Sequence, residues 1–193
     1  MKKIFFALCI LMAGCNSTSI MNSWKAPGET ITPGEYKKVL VVAYVKDKQG
    51  RKEAEDNLVK FNKTFHPSYP EFTDAQIAQD TAKLKSMVKA KGYDAVIIMR
   101  LITTKAKSTY VQGGTNPAYD NYIFYYNDYY KSGSYATDME FVISTNIYSL
   151  TKDKLLWSGV TTSANPKKID KLVSGIGKAI AEQVREDKLI VGK

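Results

Sequence analysis

The chain has 193 residues, with 28 Lys+Arg against 19 Asp+Glu (formal charge +9), 44% hydrophobic residues, two cysteines and one histidine. This length and apolar content suit one domain with a buried core and exclude a disordered or collagen-like polymer. Two cysteines cannot build a disulfide scaffold or a multi-thiolate zinc site, and any histidine-based triad or metal centre would have to run through His66 alone.

Chain order begins with Lys2 and Lys3, an apolar run from Ile4 to Met12, and the small residues Ala13 and Gly14. This is the pattern of a secretory signal peptide, and the run is far shorter than the roughly 20 residues that a membrane-spanning helix needs. The stretch Leu11-Met12-Ala13-Gly14-Cys15 resembles the bacterial lipobox, with Met12 where that motif usually has Leu. The resemblance implies cleavage after Gly14, diacylation of the Cys15 thiol, and N-acylation, giving palmitate-type chains that hold the protein on a membrane. An ordinary signal peptide with an incidental Cys15 is the other reading. By similarity to enterobacterial lipoproteins, Asn16 after the cysteine implies transfer to the outer membrane, facing the periplasm.

The organisation expected from here is a signal peptide over 1–14, a lipidated N-terminus and tether over 15–36, and one α/β domain over 37–193. Residues 16–36 are rich in Ser, Asn, Thr, Gly and Pro, hence the tether, with Trp24 as the exception. Val39 to Val45 is apolar without alternation, as in a central strand covered on both faces. Ala54, Leu58, Phe61 and Phe65 recur at i, i+4, i+7 and i+11, which predicts a helix from Arg51 to Phe65. Two prolines, Pro67 and Pro70, stop it, and a short extended piece can follow. Thr73-Asp74-Ala75-Gln76 has the form of a capping box, and the helix that follows carries Ile77, Thr81, Leu84 and Val88 as far as Lys91-Gly92. Tyr93 to Thr103 predicts a second strand, parallel to the first by the right-handed crossover rule.

A tyrosine-rich loop over 112–137 interrupts the pattern. Seven of the 13 tyrosines fall between Gly113 and Tyr135, among Gly, Asn, Asp and Ser. Beyond it, alternation from Phe141 to Tyr148 and the segment Lys154 to Thr162 predict an antiparallel hairpin. Asn165-Pro166 would cap a closing helix with Ile169, Leu172, Val173, Ile176, Ile180 and Val184 on its apolar face. The fold class is therefore α/β: a mixed sheet with a parallel β-α-(β)-α-β start, an antiparallel C-terminal hairpin and a closing helix.

The segments Lys37–Phe61, Gly92–Ile102 and Ile143–Gly159, with the closing helix, resemble a group of uncharacterised outer-membrane lipoproteins of Bacteroidota. In strand and helix order that group is distantly similar to the soluble domains of the curli-secretion channel lipoprotein and of the TolB N-terminus. The resemblance implies a periplasmic α/β domain and supplies no catalytic motif.

No GxSxG, HExxH, CxxC or phosphate-loop pattern occurs, so no cofactor and no metal is expected. His66 reads as a helix-end or surface histidine. Asp120, Asp128 and Glu140 could serve a hydrolase, although polar-loop carboxylates are usually solvated turn residues. The scattered lysines suit anionic lipid headgroups or a solvated surface and no nucleic acid. Tyr122, Tyr125, Tyr126, Tyr129 and Tyr130 are the candidate contact residues, since their amphipathic rings suit a protein partner, self-association or a stacked sugar; a loop that folds back to cover the sheet of its own domain is the other reading. Two functions follow: a non-catalytic, outer-membrane-anchored assembly or binding module of the envelope, or a peptidoglycan- or glycan-binding lipoprotein using the same tyrosines.

Overall fold

The computed structural model describes residues 18–45, 47–77, 81–111, 134–166 and 168–191. The six strands of the described residues belong to one mixed sheet in the order β1-β6-β5-β4-β2-β3. They are β1 (Thr18–Lys25), β2 (Val39–Tyr44), β3 (Phe65–Pro67), β4 (Ala95–Val111), β5 (Ser134–Ser149) and β6 (Lys154–Ala164). Helices α1 (Lys48–Leu58), α2 (Asp74–Ile77), α3 (Thr81–Ala90) and α4 (Ile169–Glu186) cover it. The expected α/β class, with its parallel start, C-terminal hairpin and closing helix, is what the chain adopts: β2 pairs in parallel with β3 and β4, and β4, β5 and β6 run antiparallel.

The unbroken apolar run of β2 has its predicted cause. Val41 and Ala43 point toward α1 and α4, where they meet Ala54, Leu58, Val173 and Ile176. Leu40 and Val42 point the other way, toward Leu84 and Val88 of α3. Both faces are thus buried at this strand, as its lack of alternation requires. At the opposite end of the sheet Trp157, fully buried, packs with Leu156, Val184 and Leu189. Its indole lies over Gly159, where a Cβ would come within 2.2 Å of the ring. At about 25 cal/mol per Å², a buried tryptophan of about 200 Å² contributes about 5 kcal/mol, so this indole anchors the α4 side of the sheet.

The tether reading of 15–36 gives way at Thr18–Lys25, which is the edge strand β1, antiparallel to β6 from Thr18↔Ser163 to Lys25↔Trp157. The segment lacks a hydrophobic period because ladder hydrogen bonds come from the backbone, so an open strand edge can recruit a polar sequence. One side-chain bond, Thr18 Oγ1 to Ser163 Oγ at 2.8 Å, adds to it. Gly175 lets α4 approach, since a Cβ there would stand 2.6 Å from Thr18 Oγ1. Residues 26–36 of the supposed tether are also docked: Ile31 bonds to Leu189 and Val191, and Glu29 and Glu35 pair with Lys152 and Lys154.

Three boundaries differ from expectation. Helix α1 starts earlier, capped by Asp47, whose carboxylate accepts from Gly50 N at 2.6 Å. It ends at Leu58 with a 3-10 turn over Val59–Phe61, and Phe65 belongs to β3, because Phe65 is needed as a strand residue packed against the Val41 side of the sheet. The closing helix begins at Ile169 with Lys168 as its N-cap, whereas Asn165 sits at φ 46 and its Oδ1 accepts from Met139 N at 2.7 Å. The capping box at Thr73 forms as predicted: Thr73 N donates to Gln76 Oε1 (2.8 Å) and Gln76 N to Thr73 Oγ1 (3.3 Å).

Candidate functional site

Cys15, the signal segment, Asp120, Asp128 and the tyrosines Tyr122, Tyr125, Tyr126, Tyr129 and Tyr130 lie outside the described residues. The structure does show what carries the tyrosine segment. Strands β4 and β5 pair as far as Val111↔Ser134, but β2 accompanies β4 only to Arg100, and β6 accompanies β5 only to Glu140. From Ala106↔Met139 outward the hairpin is a two-stranded ribbon of six residue pairs, about 20 Å long at 3.4 Å per residue. The predicted loop boundaries shift accordingly, because Ser134–Thr137 belongs to β5. Glu140 stands at the ribbon base, where its Oε1 accepts from Thr162 Oγ1 at 2.6 Å.

His66 lies on β3 rather than at a helix end. It is half-buried and meets the edge of the Tyr93 ring with centroids 6.1 Å apart. Tyr93 donates its hydroxyl to Glu71 Oε1 at 2.8 Å. Burial first, and then that carboxylate acceptor, raise the Tyr93 pKa well above the usual phenol value. The same bond, helped by Lys91, holds the Glu71 carboxyl below its ordinary value in spite of desolvation. Nothing in this cluster pairs His66 with a nucleophile.

A buried charged network not anticipated from the sequence stands at the carboxyl end of β2. Glu55, fully buried, accepts from Ala43 N, Arg51 Nε and Ser68 Oγ on one oxygen, and from Ser68 N and Tyr69 N on the other. Arg51 further donates to Asp74 Oδ1 at 2.5 Å, Ser68 Oγ at 2.7 Å and the Phe72 carbonyl at 3.1 Å. A signal existed: Arg51, Ala54, Glu55 and Leu58 share the inner face of α1 at i, i+3, i+4 and i+7. Every oxygen of Glu55 is used, so the network ties β2, α1 and the segment after β3 together and offers no reactive group.

The other feature is a sheet that the described residues only half cover. Among them, helices α1 and α4 cover one face, and on the other α3 covers β2 and β4 only. Pairing registers set out the residues of this second face in rows. One runs Val42, Ile98, Asn146, Ser158, Trp24; the next runs Tyr44, Arg100, Ser144, Val160, Asn22. Each row starts from an apolar or aromatic residue of β2, reaches a polar residue on β5 (Asn146, Ser144) and ends on β1, where Trp24 is 48% exposed. Between α3 and this open half lies a cleft of about 470 Å³. Ser158 donates to Asn146 Oδ1 at 2.7 Å, and Arg100 stacks 4.7 Å from the centre of the Tyr44 ring.

No family model matches the chain, and no curated protein does. Solved structures that it resembles include the PelC dodecamer from Paraburkholderia phytofirmans, 11% identical with a TM-score of 0.43 over 83% of this chain and 94% of that one. A variant of the same dodecamer gives 11% and 0.46 over 83% and 95%. Lipoprotein GNA1162 from Neisseria meningitidis gives 14% and 0.40 over 77% and 98%.

Proposed function

We propose that the chain is a non-catalytic lipoprotein of the bacterial envelope, held in the outer membrane through acylated Cys15 and working on the periplasmic face as an assembly or binding module. Among the described residues no helix is long and apolar enough to cross a membrane, so in this reading attachment rests on the acyl chains. The observation that carries the module reading is the β4–β5 ribbon. Among the described residues its outer six pairs have no neighbouring strand on either side, and an isolated two-stranded ribbon is marginally stable in water. A partner, or a second copy, that packs on the ribbon and on the tyrosines Tyr122, Tyr125, Tyr126, Tyr129 and Tyr130 supplies the missing contacts. Photo-crosslinking in cells from positions 125 and 126 of the lipidated protein tests it. Discrete protein adducts, or adducts to itself, are expected; capture of no protein from a folded chain sinks the reading.

The second reading, a peptidoglycan or glycan binder, draws on the open sheet face, where an exposed indole, two Asn side chains and serine hydroxyls stand together. Stacking on Trp24 and on the tyrosines, with hydrogen bonds from the amides, is the chemistry that a sugar uses. It predicts co-sedimentation with isolated cell wall that weakens when Trp24, Tyr125 and Tyr126 become Ala.

A further inference from the structure

The cleft beside α3 combines an apolar wall with a cation that no described residue neutralises. The half-buried Tyr44, Ile98, Tyr148 and Leu155 give it apolar surface, over a floor of the buried Val42, Leu84 and Val88. Lys85, Arg100 and Lys154 stand around its mouth with one carboxylate, Asp153. Two of these cations are already engaged, Lys85 with Asp153 and Lys154 with Glu29. Arg100 is exposed, and its only partner among the described residues is the face of the Tyr44 ring. Tyr44 is itself fixed, because its hydroxyl donates to the Ile77 carbonyl. Stacking occupies the plane of a guanidinium and leaves its N–H groups, which lie in that plane, aimed outward for a planar or tetrahedral anion. Asn146 supplies a second donor. Its Oδ1 takes the Ser158 hydroxyl, and its NH2 has no partner among the described residues. Arg100 pairs across with Ser144, so Asn146 is its diagonal neighbour, about 7–8 Å away and within reach of one headgroup. The position also fits the habit of α/β sheets, since Tyr44 and Arg100 end the parallel pairing of β2 with β4 at its carboxyl side.

We infer that this cleft binds a single-chain amphiphile with an anionic head, the head on Arg100 and the Asn146 amide and the chain along Ile98, Tyr148 and Leu155. Its volume lies within the roughly 300–1,000 Å³ of small-molecule sites. None of the residues lining the site belongs to the ribbon, so it stands or falls independently of the assembly reading.

The test uses the full-length protein reconstituted in nanodiscs of neutral phosphatidylcholine, with empty nanodiscs as the baseline. The probes are octyl phosphate, octanoate and 1-octanol, followed by saturation-transfer NMR and calorimetric titration. Binding of one or both anions above baseline is expected, weakened at least tenfold by Arg100→Gln, while the weak octanol signal stays unchanged. Octyl phosphate without octanoate assigns a phosphate head, as in a lysophospholipid; both together assign any monoanionic head, fatty acids included. Ile98→Trp, which fills the cleft, should remove all three signals. Anion binding no greater than that of empty nanodiscs, or equal affinity in Arg100→Gln, overturns the inference. Arg100 is exposed, so its replacement keeps the fold and the comparison stands even if Ile98→Trp does not fold.

Discussion

Glu55 and Asp187 show how single carboxylates hold this fold. Glu55 gathers three backbone N–H groups from two separate segments, a hydroxyl and a guanidinium, all in a buried position. Glu55→Gln puts an NH2 against N–H donors and leaves Arg51 buried with only the half-exposed Asp74 for charge. Breaking a buried pair in this way costs about 3–5 kcal/mol, which urea unfolding should show as a lower midpoint with an unchanged slope. Asp187 receives Trp157 Nε1 at 2.7 Å and Gln183 Nε2 at 2.9 Å. Burial raises its pKa, yet these hydrogen bonds and the nearby Lys25 outweigh that and leave it below the ordinary aspartate value. A depressed folded-state pKa contributes stability that is present above the unfolded value of about 3.9 and lost as the pH falls through the folded value. Asp187→Asn should therefore cost about 2 kcal/mol at neutral pH, with the gap to the parent closing below about pH 4 in acid-unfolding curves.

The elements differ in how much of their stability they own. Central β2 is buried on both faces and α4 seals one side of the sheet, so amides of Val39–Tyr44 and of Ala95–Arg100 should exchange only through global unfolding. Beyond Lys105 and Glu140 no described residue gives the hairpin a third strand. In the free protein the amides of Ala106–Val111 should exchange orders of magnitude faster than those of Ala95–Arg100, by hydrogen-exchange mass spectrometry. Equal protection along the whole of β4 would remove the physical reason for proposing a partner there. Edge strand β1 is the opposite case, a polar sequence stabilised by its neighbour, with ladder bonds to β6 and the close approach that Gly175 allows.

For the molecule in the cell, the proposed anchor and the folded part make separable contributions. Cys15→Ala should abolish incorporation of labelled palmitate and move the protein from the membrane pellet to the soluble fraction. Its melting temperature should stay within about 1 °C of the parent, because the described residues form one hydrogen-bonded sheet without that position. The surplus of 28 basic over 19 acidic residues should then appear as salt-sensitive residual adhesion to anionic vesicles.

The elements legible in the sequence are those whose side chains alternate or recur with the local backbone period. The continuous run of β2, the stripe of α4 and the reciprocal Thr73/Gln76 cap each state which face is buried within a few residues of chain. Strand β1 was illegible because its partner lies some 145 residues away and backbone ladder bonds ask nothing of side-chain pattern. The same holds for the cleft, where Tyr44, Arg100 and Asn146 come from three strands that meet only through pairing register. Arg51 and Glu55 were half visible: their helical face could be read, but the Ser68 and Tyr69 amides that make a buried charge tolerable arrive from after β3. Local periodicity, a property of neighbouring residues, thus determined the order and type of most elements. Tertiary structure alone decided which edge stayed open, which face stayed half covered and which charges found partners, since those depend on distances between residues far apart in the chain.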